Sequence, residues 1–140
     1  MKRHLTTLFL ACGTACMLAT SLKAQSFKLE TTIPFAFNVD KKACPAGEYS
    51  VNRSASDSYS SLRSSEGGCS ILIANTQAVE GKGSPRLTFN RYGEKYFLSE
   101  IWSDANKGLR LPAGKLEQES REKVRRAEIA KVTLPLESKR

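Results

Sequence analysis

Histidine is almost missing from this chain. The only one is His4, within the opening stretch MKRHLTTLFLACGTACMLATSLKAQ. That stretch has the layout of a secretory signal peptide. Lys2, Arg3 and His4 form a positive head, Leu5 to Leu22 is apolar or small, and Ala24 closes a small-residue cleavage site. Cleavage near Ala24 predicts a mature chain that starts at Gln25 and is secreted or periplasmic. Two alternatives stay open: an uncleaved membrane anchor, which the short, interrupted apolar run disfavours, and a lipid anchor on Cys16, which lacks the usual leading leucine. Without His4 the mature chain loses the commonest general base and the commonest metal ligand. Ser-His-Asp and Cys-His nucleophile systems are excluded.

Cysteine is nearly as scarce. Cys12 and Cys16 fall in the leader, so Cys44 and Cys69 remain. In an oxidising compartment such a pair reads as a disulfide. It would close a loop of about 26 residues and stabilise by roughly 3–4 kcal/mol on chain-entropy grounds. The alternative is two separate buried thiols. Two cysteines without a histidine cannot complete an ordinary zinc site, and no cofactor is implied. Beyond the leader no run of about 20 apolar residues occurs, so no later transmembrane helix is expected. Charge of one sign is also less abundant than the formal +8 suggests, because Lys2, Arg3 and Lys23 belong to the leader. The remaining Lys and Arg are scattered without a basic stripe, which excludes nucleic acid as the expected partner.

The remainder, after residues 1–24, fits one domain. TTIPFAFNVD alternates, with Ile33, Phe35, Phe37 and Val39 on one face, which predicts a half-buried strand. Pro34 belongs at its start or on an edge. Pro45-Ala46-Gly47 supplies a turn, and Tyr49, Val51 and Arg53 alternate beyond it. SLRSS reads as a short strand. CSILIANTQAV is apolar on both faces through Ile71, Leu72 and Ile73, which suits a central strand. EGKGSP is a connector.

LTFNRYGEKYFLSEIW, Leu87 to Trp102, reads as a hairpin turning at Gly93-Glu94 in a type II′ loop. This register sets Tyr92 opposite Lys95, Arg91 opposite Tyr96, Phe89 opposite Leu98 and Leu87 opposite Glu100. One face would gather Leu87, Phe89, Tyr96, Leu98 and Trp102. LRLP follows as a short strand. GKLEQESREKVRRAEIAKV carries Glu117–Arg121, Glu119–Lys123 and Glu122–Arg126 at i,i+4, a helix-supporting pattern. A helix is expected over 115–128, with Leu116, Val124, Ala127 and Ala130 on its apolar stripe. Val132, Leu134 and Leu136 predict a terminal strand.

IPFAFNVDKKACPAGEYSV and LTFNRYGEKYFLSEIW resemble a functionally uncharacterised family of small exported acidobacterial proteins. That family's pattern is an alternating Pro-Phe-x-Phe-x-Val strand, a Leu-Pro-Ala-Gly-x-Tyr turn and a Phe-x-Arg-Tyr-Gly hairpin running into Tyr-Phe-Leu-Ser and Trp. Pro34, Phe35, Phe37, Val39, Pro45, Ala46, Gly47, Tyr49, Phe89, Arg91, Tyr92, Gly93, Tyr96, Phe97, Leu98, Ser99 and Trp102 carry the likeness. It implies export and brings no catalytic residue. Cys44 stands where that pattern has an apolar residue.

The fold class expected is mainly β: a small antiparallel β-sandwich or β-barrel over 25–113, with a charged helix and a terminal strand over 114–140 packing on it. Glu94, Glu100 and Asp104 are the acids near the aromatic cluster. A glycosidase dyad needs carboxyls about 5–9.5 Å apart, and Glu94 at the hairpin tip lies too far from Glu100. The residues retained as binding candidates are Arg91, Tyr92, Glu100 and Trp102. Arg91 would meet Tyr96 in a cation–π pair, and Glu100 would pair with Arg86 or Arg110. The function expected is a non-enzymatic exported domain that binds or supports an envelope component or protein partner. The alternatives are a small-ligand carrier with a barrel cavity and, more remotely, a carboxylate-based glycan hydrolase.

Overall fold

A computed structural model describes residues 28–54, 59–74 and 76–138. The leader with His4, Cys12, Cys16 and the Ala24 cleavage site lies outside the described residues. Two β-sheets pack face to face. The first has five strands in the order β12-β1-β4-β5-β6. These are β1 (Lys28–Ile33), β4 (Gly47–Arg53), β5 (Ser60–Ser64), β6 (Ser70–Ile73) and the short β12 (Glu137–Ser138). The second follows the path β11-β8-β9-β10-β7, with a β2–β3 hairpin attached to β9. Its strands are β2 (Phe37–Val39), β3 (Lys42–Cys44), β7 (Gln77–Glu80), β8 (Arg86–Tyr92), β9 (Lys95–Trp102), β10 (Lys107–Arg110) and β11 (Ile129–Pro135). The pairing is antiparallel except at one bridge, Asn38 to Phe97, where β2 meets β9 in parallel.

No closed barrel forms, and the space between the sheets is filled by side chains. Ile33, Phe37, Tyr49, Val51, Leu62, Leu87, Phe89 and Ile101 are essentially inaccessible to solvent. Aromatic rings organise this core. Phe37 meets Tyr49 at 5.2 Å and Phe89 at 5.4 Å, both edge to face, and Phe35 meets Phe89 edge to face at 5.1 Å. Offset and edge-to-face geometries are what the ring quadrupole favours. Among the described residues the fold is thus a two-sheet sandwich and not the barrel that was the other expectation.

The alternation from Ile33 to Val39 reports burial correctly but not strand membership. The expected single strand is split in two, because the chain leaves the first sheet at Pro34 and enters the second at Phe37. Proline offers no ladder N–H, so the ladder stops there. The Tyr49 hydroxyl donates to the Pro45 carbonyl at 2.6 Å and pins the following turn.

Cys44 and Cys69 form a disulfide across 5.4 Å between their Cα atoms. Cys44 ends β3 in one sheet and Cys69 precedes β6 in the other, so the bridge ties the sheets together. The C-terminal segment ties them again on the far side. β11 pairs with β8, Leu136 is buried with its N–H on the Pro85 carbonyl at 3.0 Å, and β12 then pairs with β1.

The helix α1 (Lys115–Lys123) is shorter than the pattern suggested. Val124 is already extended, and Glu128 is taken up in a tight turn with its carboxylate on the Arg125 N–H at 2.9 Å. The packing face is also not the expected apolar stripe. Glu117 and Ser120 are buried, while Leu116 is exposed. Polar donors on the sheet below select a carboxylate here.

Candidate functional site

The hairpin β8–β9 turns at Gly93-Glu94 as expected. Gly93 has φ of 63°, a value that side-chain-bearing residues rarely adopt. Near the turn the register also follows the sequence reading: Tyr92 opposes Lys95, Arg91 opposes Tyr96 and Phe89 opposes Leu98. It then slips. Ser99 is an extra residue on β9, so Thr88 opposes Glu100 and Leu87 opposes Ile101. This is a β-bulge. The straight register would have buried Glu100 beside Leu87. The bulge sends Ile101 into the core instead and turns Glu100 and Trp102 to the outer face of the sheet. Trp102 is thus not on the core face with Phe89, and Leu87 is not opposite Glu100.

On that outer face Glu100 and Trp102 come together. The Trp102 indole N–H donates to Glu100 Oε2 at 2.9 Å, and Arg110 Nε and a terminal guanidinium nitrogen reach Glu100 Oε1 at 3.1 and 3.0 Å. Burial alone would raise the carboxyl pKa. The Trp102 and Arg110 hydrogen bonds and the charges of Lys131 and Arg110 outweigh it and hold Glu100 below its ordinary range. The indole is closely boxed in. Arg86 lies over the ring at 4.2 Å from its centroid, and a β-carbon at Gly108 or Gly81 would collide with the ring. Both positions must therefore lack a side chain. Glu100 pairs with Arg110, as one reading of the sequence allowed, and Arg86 stacks on the tryptophan.

Tyr92 sits at the other end of the same face, in a separate cluster under α1. Its hydroxyl donates to Glu117 Oε1 at 3.0 Å, and Asn90 Nδ2 donates to the same oxygen at 2.9 Å. Burial and the adjacent Glu117 push the tyrosine pKa up to about 12. Its ring lies 5.8 Å from that of Phe97. Arg91 joins neither cluster. It is half-buried on the core side in line with Phe89, and its Nε has no hydrogen-bond partner. The expected Arg91–Tyr96 stack is replaced by Tyr96 on Phe35, with ring centroids 3.8 Å apart.

The four candidates thus divide into a pair, a separate tyrosine and an isolated arginine. Sequence reading missed Glu117, which looked like one more charge on a solvated helix. The available signal was weak: Asn90 and Tyr92 share one strand face and both need an acceptor.

The opposite edge of β9 is interrupted too. Phe97 is bridged to β2 and Glu100 to Trp102 run beside β10. Between them, on the edge away from β8, β9 pairs with no strand among the described residues, and the Leu111 N–H reaches the Ser99 carbonyl at 2.8 Å instead. A groove of about 410 Å³ opens there. Phe97, Leu98 and Leu111 form its floor, and its walls are 39–42 of the β2–β3 turn, 71–74 along β6, 112–114 ahead of α1, and Glu117 of α1. An apolar floor with a few polar groups at the rim is the usual make-up of a ligand site, and the volume lies in the usual range. A larger cleft of about 510 Å³ beside β1, β4 and β12 is bordered by Glu30, Glu48 and Glu137 and lacks such a floor.

Among the described residues no group of three or more His, Cys, Asp or Glu is placed to hold a metal ion. Among them, too, no helix is long and apolar enough to cross a membrane. The chain matches no protein-family model, no curated protein and no solved structure.

Proposed function

We propose that this protein is an exported, non-enzymatic binding domain, and that the groove at Ser99 takes the apolar part of an anionic envelope component. The groove carries the reading. Among the described residues it joins an apolar floor to an exposed cation at the rim, Lys41; Lys42 donates to the Ser70 carbonyl at 2.9 Å, and Asp40 and Glu117 also border the groove. The two buried carboxylates are committed to structure. Both Glu100 oxygens accept, from Trp102 and Arg110, and Glu117, at the border of the groove, accepts from Tyr92 and Asn90 on one oxygen. Glu100 is therefore not free to act as an acid, a base or a nucleophile, which weighs against the hydrolase alternative. The signal-peptide layout, the disulfide and the likeness to exported acidobacterial proteins support the location.

The test is a titration of the mature protein with dodecyl phosphate and dodecyl maltoside, followed by amide chemical shifts. The expected result is saturable shifts at Phe97, Leu98 and Leu111, stronger for the anionic amphiphile, and abolished by Leu111→Glu. Shifts confined to other surfaces, or none, overturn the groove as the binding site.

A further inference from the structure

β6 has the sequence of a central strand and the position of an edge strand. Ile71, Leu72 and Ile73 predict burial on both faces, yet β6 pairs with β5 alone and Leu72 is 64% exposed. Edge strands are normally protected by charge, proline or brevity, and the other sheet edges follow that rule. β11 carries Lys131 and Pro135, β7 ends in Glu80, and β12 has two residues. β6 reads Ser-Ile-Leu-Ile, with no charge and no proline.

The ladder shows which main-chain groups are spare. The Ser64 N–H donates to the Cys69 carbonyl at 2.7 Å, and Leu62 opposes Ile71 while Ser60 opposes Ile73. In an antiparallel pair, hydrogen-bonded and non-bonded positions alternate. Cys69, Ile71 and Ile73 therefore bond toward β5, and the N–H and C=O of Leu72 point outward from the free edge. The sequence around Leu72 is palindromic in size: Ser70, Ile71, Leu72, Ile73, Ala74. A two-fold axis through Leu72 sets Ile71 against the partner's Ile73 and Ser70 against the partner's Ala74, with no charged residue among the paired ones.

We infer that β6 pairs antiparallel with β6 of a second copy, Leu72 to Leu72, making one continuous sheet of the two five-stranded ones. The spare N–H and C=O of each Leu72 would exchange two main-chain hydrogen bonds. Self-complementarity of this kind is what a two-fold interface requires, and it selects a second copy over an unrelated strand. In the single chain Lys42 covers part of this edge through its bond to Ser70 and would swing aside for the flanking bonds. The inference rests on the binding reading only in that β6 also forms one wall of the groove, and different variants separate the two.

Sedimentation equilibrium of the mature protein from about 1 to about 300 µM tests it, a range that reaches the weak association expected of a small interface. The wild type should move toward twice the monomer mass. L72K and L72E should each stay monomeric, because like-charged side chains would face each other from Cα atoms about 5.5 Å apart, and at concentrations where the wild type is monomeric their melting temperatures should match it since the side chain is exposed. An equimolar mixture of L72K and L72E should dimerise again. A wild type that stays monomeric, an L72K that dimerises like wild type, or a mixture that stays monomeric each overturns the pairing. Leu111→Glu, the groove variant, should leave the dimer intact.

Discussion

The inner face of the β8–β9 hairpin buries Leu87, Phe89, Leu98 and Ile101 among other apolar side chains. The outer face is buried nearly as well, but around two carboxylates: Glu100, held by Trp102 and Arg110, and Glu117, held by Tyr92 and Asn90. One ribbon thus works against two environments. On the inner face any well-shaped hydrophobe of the right volume serves. On the outer face each buried polar atom needs its own partner, since an unsatisfied one costs about 1–3 kcal/mol. The inner face should therefore be sensitive to volume and indifferent to pH, whereas the outer face should respond to pH.

The largest effect should come from the inner face. Phe89→Ala opens a cavity between Phe35 and Phe37 and should cost about 3–5 kcal/mol, read by urea denaturation with no pH dependence between 4 and 9, taken as rough bounds. A pH-dependent loss would break the contrast. Glu100→Ala strands the indole N–H and the half-exposed Arg110, and should cost about 2 kcal/mol.

Glu100→Gln keeps an acceptor for Trp102 and isolates the charge. Folding lowers the Glu100 pKa from 4.5, so its contribution is fully present above that value and is lost as pH falls through the folded one. The stability gap between wild type and Glu100→Gln should narrow on acidification below pH 4.5. A gap that widens there reverses the assignment. Smallest is Tyr92→Phe, at about 1 kcal/mol. Folding raises the Tyr92 pKa from 10.0 to about 12, so the hydroxyl stabilises below pH 10 and the effect fades between pH 10 and about 12. Thermal melts across that window check it, and a constant difference would show that Tyr92 does not titrate against Glu117.

Much of the fold was legible because it depends on local chemistry. Gly93 needed a positive φ, Pro45-Ala46-Gly47 needed a turn, and Val132, Leu134 and Leu136 needed a core. The Cys44–Cys69 bridge was legible from composition and from the signal-peptide layout of the opening stretch. The outer face was not. Between Leu98 and Trp102 both alternation phases place an apolar residue inward, Ile101 in one and Trp102 in the other, so nothing local announces an extra residue at Ser99. Only tertiary partners decide it, because Arg110 and the glycines at 81 and 108 receive Glu100 and Trp102 on one side alone. For the same reason Glu117 looked like a surface charge, since its donors lie on a strand 25 residues away. The split at Pro34 and the edge position of β6 likewise depend on which sheet each segment joins, which periodicity does not encode.

The route of β11 into β12 sets an order of events. β1, the first of the described strands, finds its second neighbour in β12, the last of them. β8 likewise has β9 on one side and waits for β11 on the other. Neither sheet is sealed until the final strands are in place, and contacts so distant in sequence form slowly. A chain ending at Glu128 would leave two bare ladders, one on each sheet, and would be prone to clump before it could close.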